Sequence, residues 1–188
     1  LRQVGAACKT YANDNPEGYW PPLSSREDMF MFASDSVYPK YLSDSQTLVC
    51  PSNEDAEVSG EIDDQSYYYL GYALSSEDEM LAFLEHYPDF IAQGADFTQD
   101  LSAPTGLGSF GGDTFLRLRE NVCDNTDLLP RDVPVMFDVT TIRDDVQKFN
   151  HVPGGANILY LDGHIEFVRY PAFPVTEAVL EAFARLNK

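Results

Sequence analysis

The stretch that decides the fold reads His151-Val-Pro-Gly-Gly-Ala-Asn-Ile-Leu-Tyr-Leu-Asp-Gly-His-Ile-Glu-Phe-Val-Arg-Tyr170. Residues 156–161 and 164–170 are rich in β-branched and aromatic side chains, with Asp162-Gly163 between them. That dipeptide tolerates the positive φ angles of a tight type I′ turn. The stretch therefore predicts a two-residue β-hairpin with positive φ at both Asp162 and Gly163. Such a turn sets Leu161 opposite His164, Tyr160 opposite Ile165 and Ile158 opposite Phe167. Ile158, Tyr160, Ile165 and Phe167 are then the expected core face. Asn157, Leu159, Leu161, His164, Glu166 and Val168 form a mixed opposite face.

Working outward, residues 134–138 (Pro-Val-Met-Phe-Asp) read as a strand, joined to the hairpin by a polar loop over 139–150. Residues 66–72 are nearly all aromatic and suit a buried central strand. At the start, Leu1, Val4, Cys8 and Tyr11 recur at helical spacing until Asn13-Asp14-Asn15-Pro16 stops the helix. Ser25 can cap a short helix carrying Met29, Phe30 and Phe32. Ser76-Glu77-Asp78-Glu79 opens another, its acids suited to the helix dipole, with Met80, Leu81, Phe83, Leu84, Tyr87 and Ile91 apolar and Pro88 at its end or kink. Thr176 can cap a last helix presenting Val179, Leu180, Phe183 and Leu186.

Composition narrows the function classes. The chain has 188 residues, enough for one domain with a substantial core, and 44% of them are hydrophobic. Its net charge is −19, from 31 acids against 12 bases. Nucleic acid and anionic lipid surfaces are poor partners for such a chain, because both are bound through Lys and Arg. No stretch approaches the roughly 20 apolar residues of a membrane span. The chain opens in mid-helix without Met or an N-cap, so upstream residues are expected to have been removed.

The same hairpin carries a resemblance. His151, Gly154-Gly155-x-Asn157, an apolar strand, Asp162-Gly163-His164 and a second strand resemble the C-terminal signature of a large bacterial family. These are the prepilin-type proteins named for a His-x9-Asp-Gly motif, relatives of the type II secretion pseudopilins. Ten residues, not nine, separate His151 from Asp162 here. Residues 1–15 resemble the last turns of the long pseudopilin helix, and 48–52 and 66–72 also look like parts of that family. Residues 75–130 carry no such likeness and read as a variable, irregular insertion. The resemblance implies an α+β, pilin-like domain with an N-terminal helix (1–14) packed on a small antiparallel sheet that includes 134–170. It implies a missing leader and membrane helix, anchorage in the inner membrane and display in the bacterial cell envelope. It implies a non-enzymatic subunit or accessory of a secretion or pilus-like fibre, whose partners are other pilin or pseudopilin subunits and secretion machinery. The globular fragment alone is expected to be monomeric, since its charge opposes self-association.

Several residue groups invite chemistry. His151, Asp162 and His164 could share a metal, but a strand of five or six residues separates the histidines by roughly 17–20 Å. The preferred reading is structural, with Asp162 accepting N–H bonds in the turn and His151 bonding a loop. No cofactor is required. Calcium enters only through the resemblance, since pseudopilins commonly hold it in a C-terminal loop. Asp138 with Asp144 or Asp145 is the candidate set, although the matching ligand motif is absent. The six acids within 52–65 read as a solvated loop rather than a cation site. Gly106-Leu-Gly108-Ser-Phe-Gly111 has G-x-G-x-x-G form but lacks the preceding strand that nucleotide binding needs. Cys8, Cys50 and Cys123 allow at most one disulfide, and their spacing lacks the Cys-x-x-Cys of a zinc site. Two other functions remain open: a carbohydrate- or peptide-binding module using Tyr19-Trp20 or Tyr67–Tyr72, and a hydrolase built on paired carboxylates.

Overall fold

The computed structural model describes residues 1–27, 29–53, 62–143, 146–149, 151 and 154–186. Along the chain lie α1 (Arg2–Asp14), α2 (Ser34–Val37), β1 (Tyr67–Tyr69), α3 (Glu77–Ala92), β2 (Leu101–Ser102), β3 (Thr114–Phe115), β4 (Pro134–Asp138), β5 (Thr140–Arg143), β6 (Val146–Phe149), β7 (Gly155–Tyr160), β8 (Ile165–Arg169) and α4 (Glu177–Leu186). The architecture is α+β. A four-stranded antiparallel sheet has the order β1-β4-β7-β8, and two ribbons pair β2 with β3 and β5 with β6.

Cross-strand register shows how side chains divide between the faces. Tyr68 lies opposite Phe137, and Phe137 opposite Ile158. This face meets α4, whose Phe183 stacks on Tyr68 at 4.3 Å and meets Phe137 edge-on at 5.6 Å. Tyr69 pairs with Met136, and Met136 with Leu159. That second face carries α1. A Cβ added at Gly5 would lie 2.9 Å from Leu159 Cδ1, so glycine lets the helix approach the sheet closely. Val4, Gly5, Ala7, Cys8 and Ala12 form the buried stripe of α1; Val4 and Cys8 match the expected spacing, whereas Leu1 and Tyr11 are only partly buried. In the other helices Ser76 accepts from the Glu79 N–H and Thr176 from the Val179 N–H, and α3 runs through Pro88 to Ala92.

Several expectations are corrected. The hairpin loop has three residues, not two: Leu159 faces Ile165 and Ile158 faces Glu166. Tyr160 therefore faces His164. The Tyr160 N–H donates to the His164 carbonyl and the Gly163 N–H to the Tyr160 carbonyl, at 3.0 and 2.8 Å. Only Gly163 has positive φ, at 92°, which is the glycine-bulge geometry of a three-residue loop. The cause is local. Asp162 Oδ1 accepts from the His164 N–H at 3.0 Å, and the His164 ring stacks on Tyr160 at 4.4 Å, favouring this wider turn. Because β8 is the sheet edge, Ile165 and Phe167 are exposed rather than core, whereas Leu159 and Leu161 are buried beneath α1.

Strand 66–72 shortens to Tyr67–Tyr69 and lies at the other edge, not the centre; Gly71 turns the chain away at φ 72°. Residues Met29, Phe30 and Phe32 are buried in extended chain rather than a helix, with Leu23 bridging Phe32. The expected polar loop over 139–150 contains the β5–β6 ribbon. Within 75–130, α3 and the β2–β3 ribbon are regular, and Phe83, Tyr87 and Phe115 join the common core.

Replacing Gly163 with Val forces a β-branched residue into left-handed geometry and is expected to cost about 1–3 kcal/mol. Chemical denaturation checks this, and an unchanged midpoint contradicts the left-handed turn.

Candidate functional site

The described residues come together chemically at the end of the sheet beneath the start of α1. Three segments far apart in sequence meet there: Cys50 from a loop, Asp138 from the end of β4, and His151 with Asn157 around the start of β7. Asp138 is 1% exposed, an environment that demands partners for a carboxylate. Its Oδ2 accepts from the Asn157 backbone N–H at 2.7 Å and from the Asn157 side-chain amide at 2.8 Å. His151 Nε2 lies 2.9 Å from the same oxygen and 3.0 Å from Asn157 Nδ2. Cys50 Sγ is 3.8 Å from that same ring nitrogen. Ser66 fastens the cysteine loop: its Oγ accepts from the Cys50 N–H, while its carbonyl accepts from Val139 N–H beside Asp138. The Tyr67 phenol is held above its ordinary pKa by burial first and then by the nearby Cys50 and Asp138. His151, its side chain 23% exposed, and the half-buried Asn157 open the cluster to solvent.

Two glycines make this meeting possible. The Gly154 N–H donates to the His151 carbonyl, reversing the chain immediately before β7. Gly154 has φ 82° and Gly155 φ 153°, and a Cβ on Gly155 would sit 2.3 Å from the Val168 carbonyl oxygen. Any larger residue there displaces β7 from β8, and with it Asn157 from Asp138. These contacts give physical roles to His151, Gly154, Gly155 and Asn157.

Asp162, Gly163 and His164 lie at the opposite end of the hairpin, as their spacing predicts. Burial alone would raise the Asp162 carboxyl, but hydrogen bonds from the His164 N–H and ring outweigh it and hold it below its usual range. His164 Nδ1 is 2.6 Å from Asp162 Oδ1. His151 thus bonds Asp138 rather than a loop, and shares nothing with His164. His86 contacts the Ala82 carbonyl of its own helix. Asp144 and Asp145, like residues 54–61, lie outside the described residues.

Cys50, Asp138 and His151 place one ligand atom each within 4.8 Å of the others. Sequence reasoning missed this set because it sought cysteines close in sequence, whereas the ligands come from three separate segments. All three cysteines are buried and unpaired. Burial pushes the Cys8 thiol up to about 12 and leaves it inert. Cysteine catalysis fits the cluster poorly. A relay uses both ring nitrogens of histidine, whereas here Nε2 alone faces both thiol and carboxylate. The proposed aromatic platform is core: Trp20, Tyr67, Tyr68, Tyr69 and Tyr72 are all buried. Trp20 Nε1 donates to Glu120, and Arg117 donates to the Trp20 carbonyl while lying over the Tyr19 ring. Gly106–Gly111 follows the two-residue strand Leu101–Ser102 and holds only a 3₁₀ turn over Ser109–Gly111, tied through the Gly106 N–H to Asp113, rather than the βαβ unit of a nucleotide site.

No protein-family model, curated protein or solved structure matches this chain. Among the described residues no helix is long and apolar enough to cross a membrane.

Gly155→Ala is expected to cost about 2–5 kcal/mol, combining strain with overlap on the Val168 carbonyl. Gly154→Ala, whose Cβ would meet Phe149 at an ordinary 3.6 Å, costs about 1–2 kcal/mol from backbone strain alone. Thermal unfolding of the two variants distinguishes these costs, and equal shifts contradict the close approach of β7 to β8.

Proposed function

We propose that this chain is a pilin-like domain serving as a non-enzymatic subunit or accessory of a type II secretion or type IV pilus-like fibre in the bacterial cell envelope. The observation that supports it is the docking of α1 on the antiparallel sheet, with Gly5 against Leu159 and the stripe Val4, Ala7, Cys8 and Ala12 buried. A helix held this way can continue upstream as the polymerising and anchoring element, leaving the acidic domain outside the fibre. The residues of the C-terminal signature act as fold closure in this reading: His151, Gly154, Gly155 and Asn157 around Asp138, and Asp162, Gly163 and His164 at the turn. A surface groove lined by Arg131, Asp132, Tyr160, His164 and Phe173 lies at the far end of the hairpin from the buried cluster.

Mass spectrometry of the natural protein's mature N-terminus tests the proposal. The expected terminus lies upstream of Leu1, immediately after a glycine-ending leader and ahead of an apolar helix in the membrane fraction. A terminus made by an ordinary signal peptidase, or an unprocessed protein lacking an apolar helix, overturns it.

A further inference from the structure

With Asp138 ionised, the contacts around His151 conflict with one another unless a cation lies among them. Asn157 Nδ2, Asp138 Oδ2 and His151 Nε2 form a triangle with sides of 2.8, 2.9 and 3.0 Å. If Nε2 carries a proton, it can donate to the carboxylate, but it then faces the amide N–H groups of Asn157. If Nε2 is bare, it accepts from Asn157, but its lone pair then faces an ionised carboxylate. Flipping the Asn157 amide only moves the conflict, setting its oxygen against Asp138. With Asp138 ionised, every assignment leaves one short side repulsive. Cys50 Sγ, a further electron-rich atom, approaches the same nitrogen at 3.8 Å.

From this geometry we infer that Cys50, Asp138 and His151 bind a borderline divalent transition ion of the zinc class. In a tetrahedral zinc site, bond lengths near 2.0–2.3 Å place nitrogen and oxygen ligands about 3.4 Å apart, and nitrogen and sulfur about 3.6 Å apart. The imidazole nitrogen's separations from carboxylate and sulfur, 2.9 and 3.8 Å, reach those values through shifts of half an ångström or less, and the sulfur and carboxylate, within 4.8 Å of each other, close further around the ion. Charge favours the same ion. A thiolate and a carboxylate together neutralise a divalent cation, which suits a site whose cysteine is 3% exposed and whose aspartate is 1% exposed. The thiolate and imidazole select zinc-like ions over calcium or magnesium, which require oxygen ligands. The outer shell is present as well. Two Asn157 N–H groups orient the carboxylate. Water supplies the fourth ligand from the side where His151 meets solvent. Binding a protonated Cys50 releases its proton, so affinity rises with pH. Such an ion clips the cysteine loop and the start of β7 to the end of β4, stabilising the fold without catalysing a reaction.

The test is Co²⁺ titration of chelator-stripped, reduced protein, followed by absorption. One equivalent per chain is expected to give a thiolate-to-cobalt charge-transfer band with tetrahedral d–d bands, all abolished by added Zn²⁺. Cys50→Ser is expected to remove the charge-transfer band, and His151→Ala to weaken binding by more than about tenfold. A variant lacking the other two thiols, Cys8→Ser with Cys123→Ser, retains the full spectrum, and this decides the matter if Cys50→Ser fails to fold. Absence of the charge-transfer band in the folded wild-type chain overturns the inference. So does its persistence in Cys50→Ser, or its loss in the variant whose only thiol is Cys50.

Discussion

Asp138 is the constraint on which the C-terminal half of this protein depends. A carboxylate that is 1% exposed must be met by donors, and it is met mainly by one residue: Asn157 approaches it with both its backbone and its side-chain nitrogen. That double contact fixes the register of β7 on β4. Register in turn decides which residues of β7 lie beneath α1 and which meet α4. Leu159 then faces Gly5, and Ile158 lies opposite Phe137 in the layer capped by Phe183. The Gly154-Gly155 turn, read at first as part of a signature, is the backbone geometry needed to bring Asn157 into place.

Much of this was legible because it is local. The α1 stripe, β4 and the capped helices α3 and α4 each follow from spacing within one segment. The hairpin was legible in outline but not in register. Asp162-Gly163 suits a two-residue turn, yet the Asp162 bond to the His164 N–H and the Tyr160–His164 stack select three residues. That one-residue difference puts Ile165 and Phe167 on the face of Leu159 rather than that of Ile158, and their place on the edge strand leaves them exposed. Edge or centre is itself a property of the whole sheet. An aromatic strand such as Tyr67–Tyr69 is buried at an edge because α1, α4 and Phe30 cover it, which no feature of the strand announces.

The candidate site was the least legible part. His151 and Asp138 were singled out, but for different partners. Cys50 carries no signal in the sequence, because the residues it meets lie far away along the chain. Convergence of residues 101 positions apart follows from the sheet closing, not from any motif. The residues of the resembled signature fall into two groups in the structure: one braces Asp138, and the other shapes the turn at the far end of the hairpin.

A double-mutant cycle between Asp138→Ala and Asn157→Ala tests this account most directly, with stability measured by chemical denaturation of both single variants and the double variant. If Asn157 acts chiefly as the donor pair for a buried carboxylate, the two losses overlap and the coupling energy falls at about 1–3 kcal/mol. Strictly additive losses would mean that the two residues stabilise the fold independently, contradicting the central role assigned to Asp138.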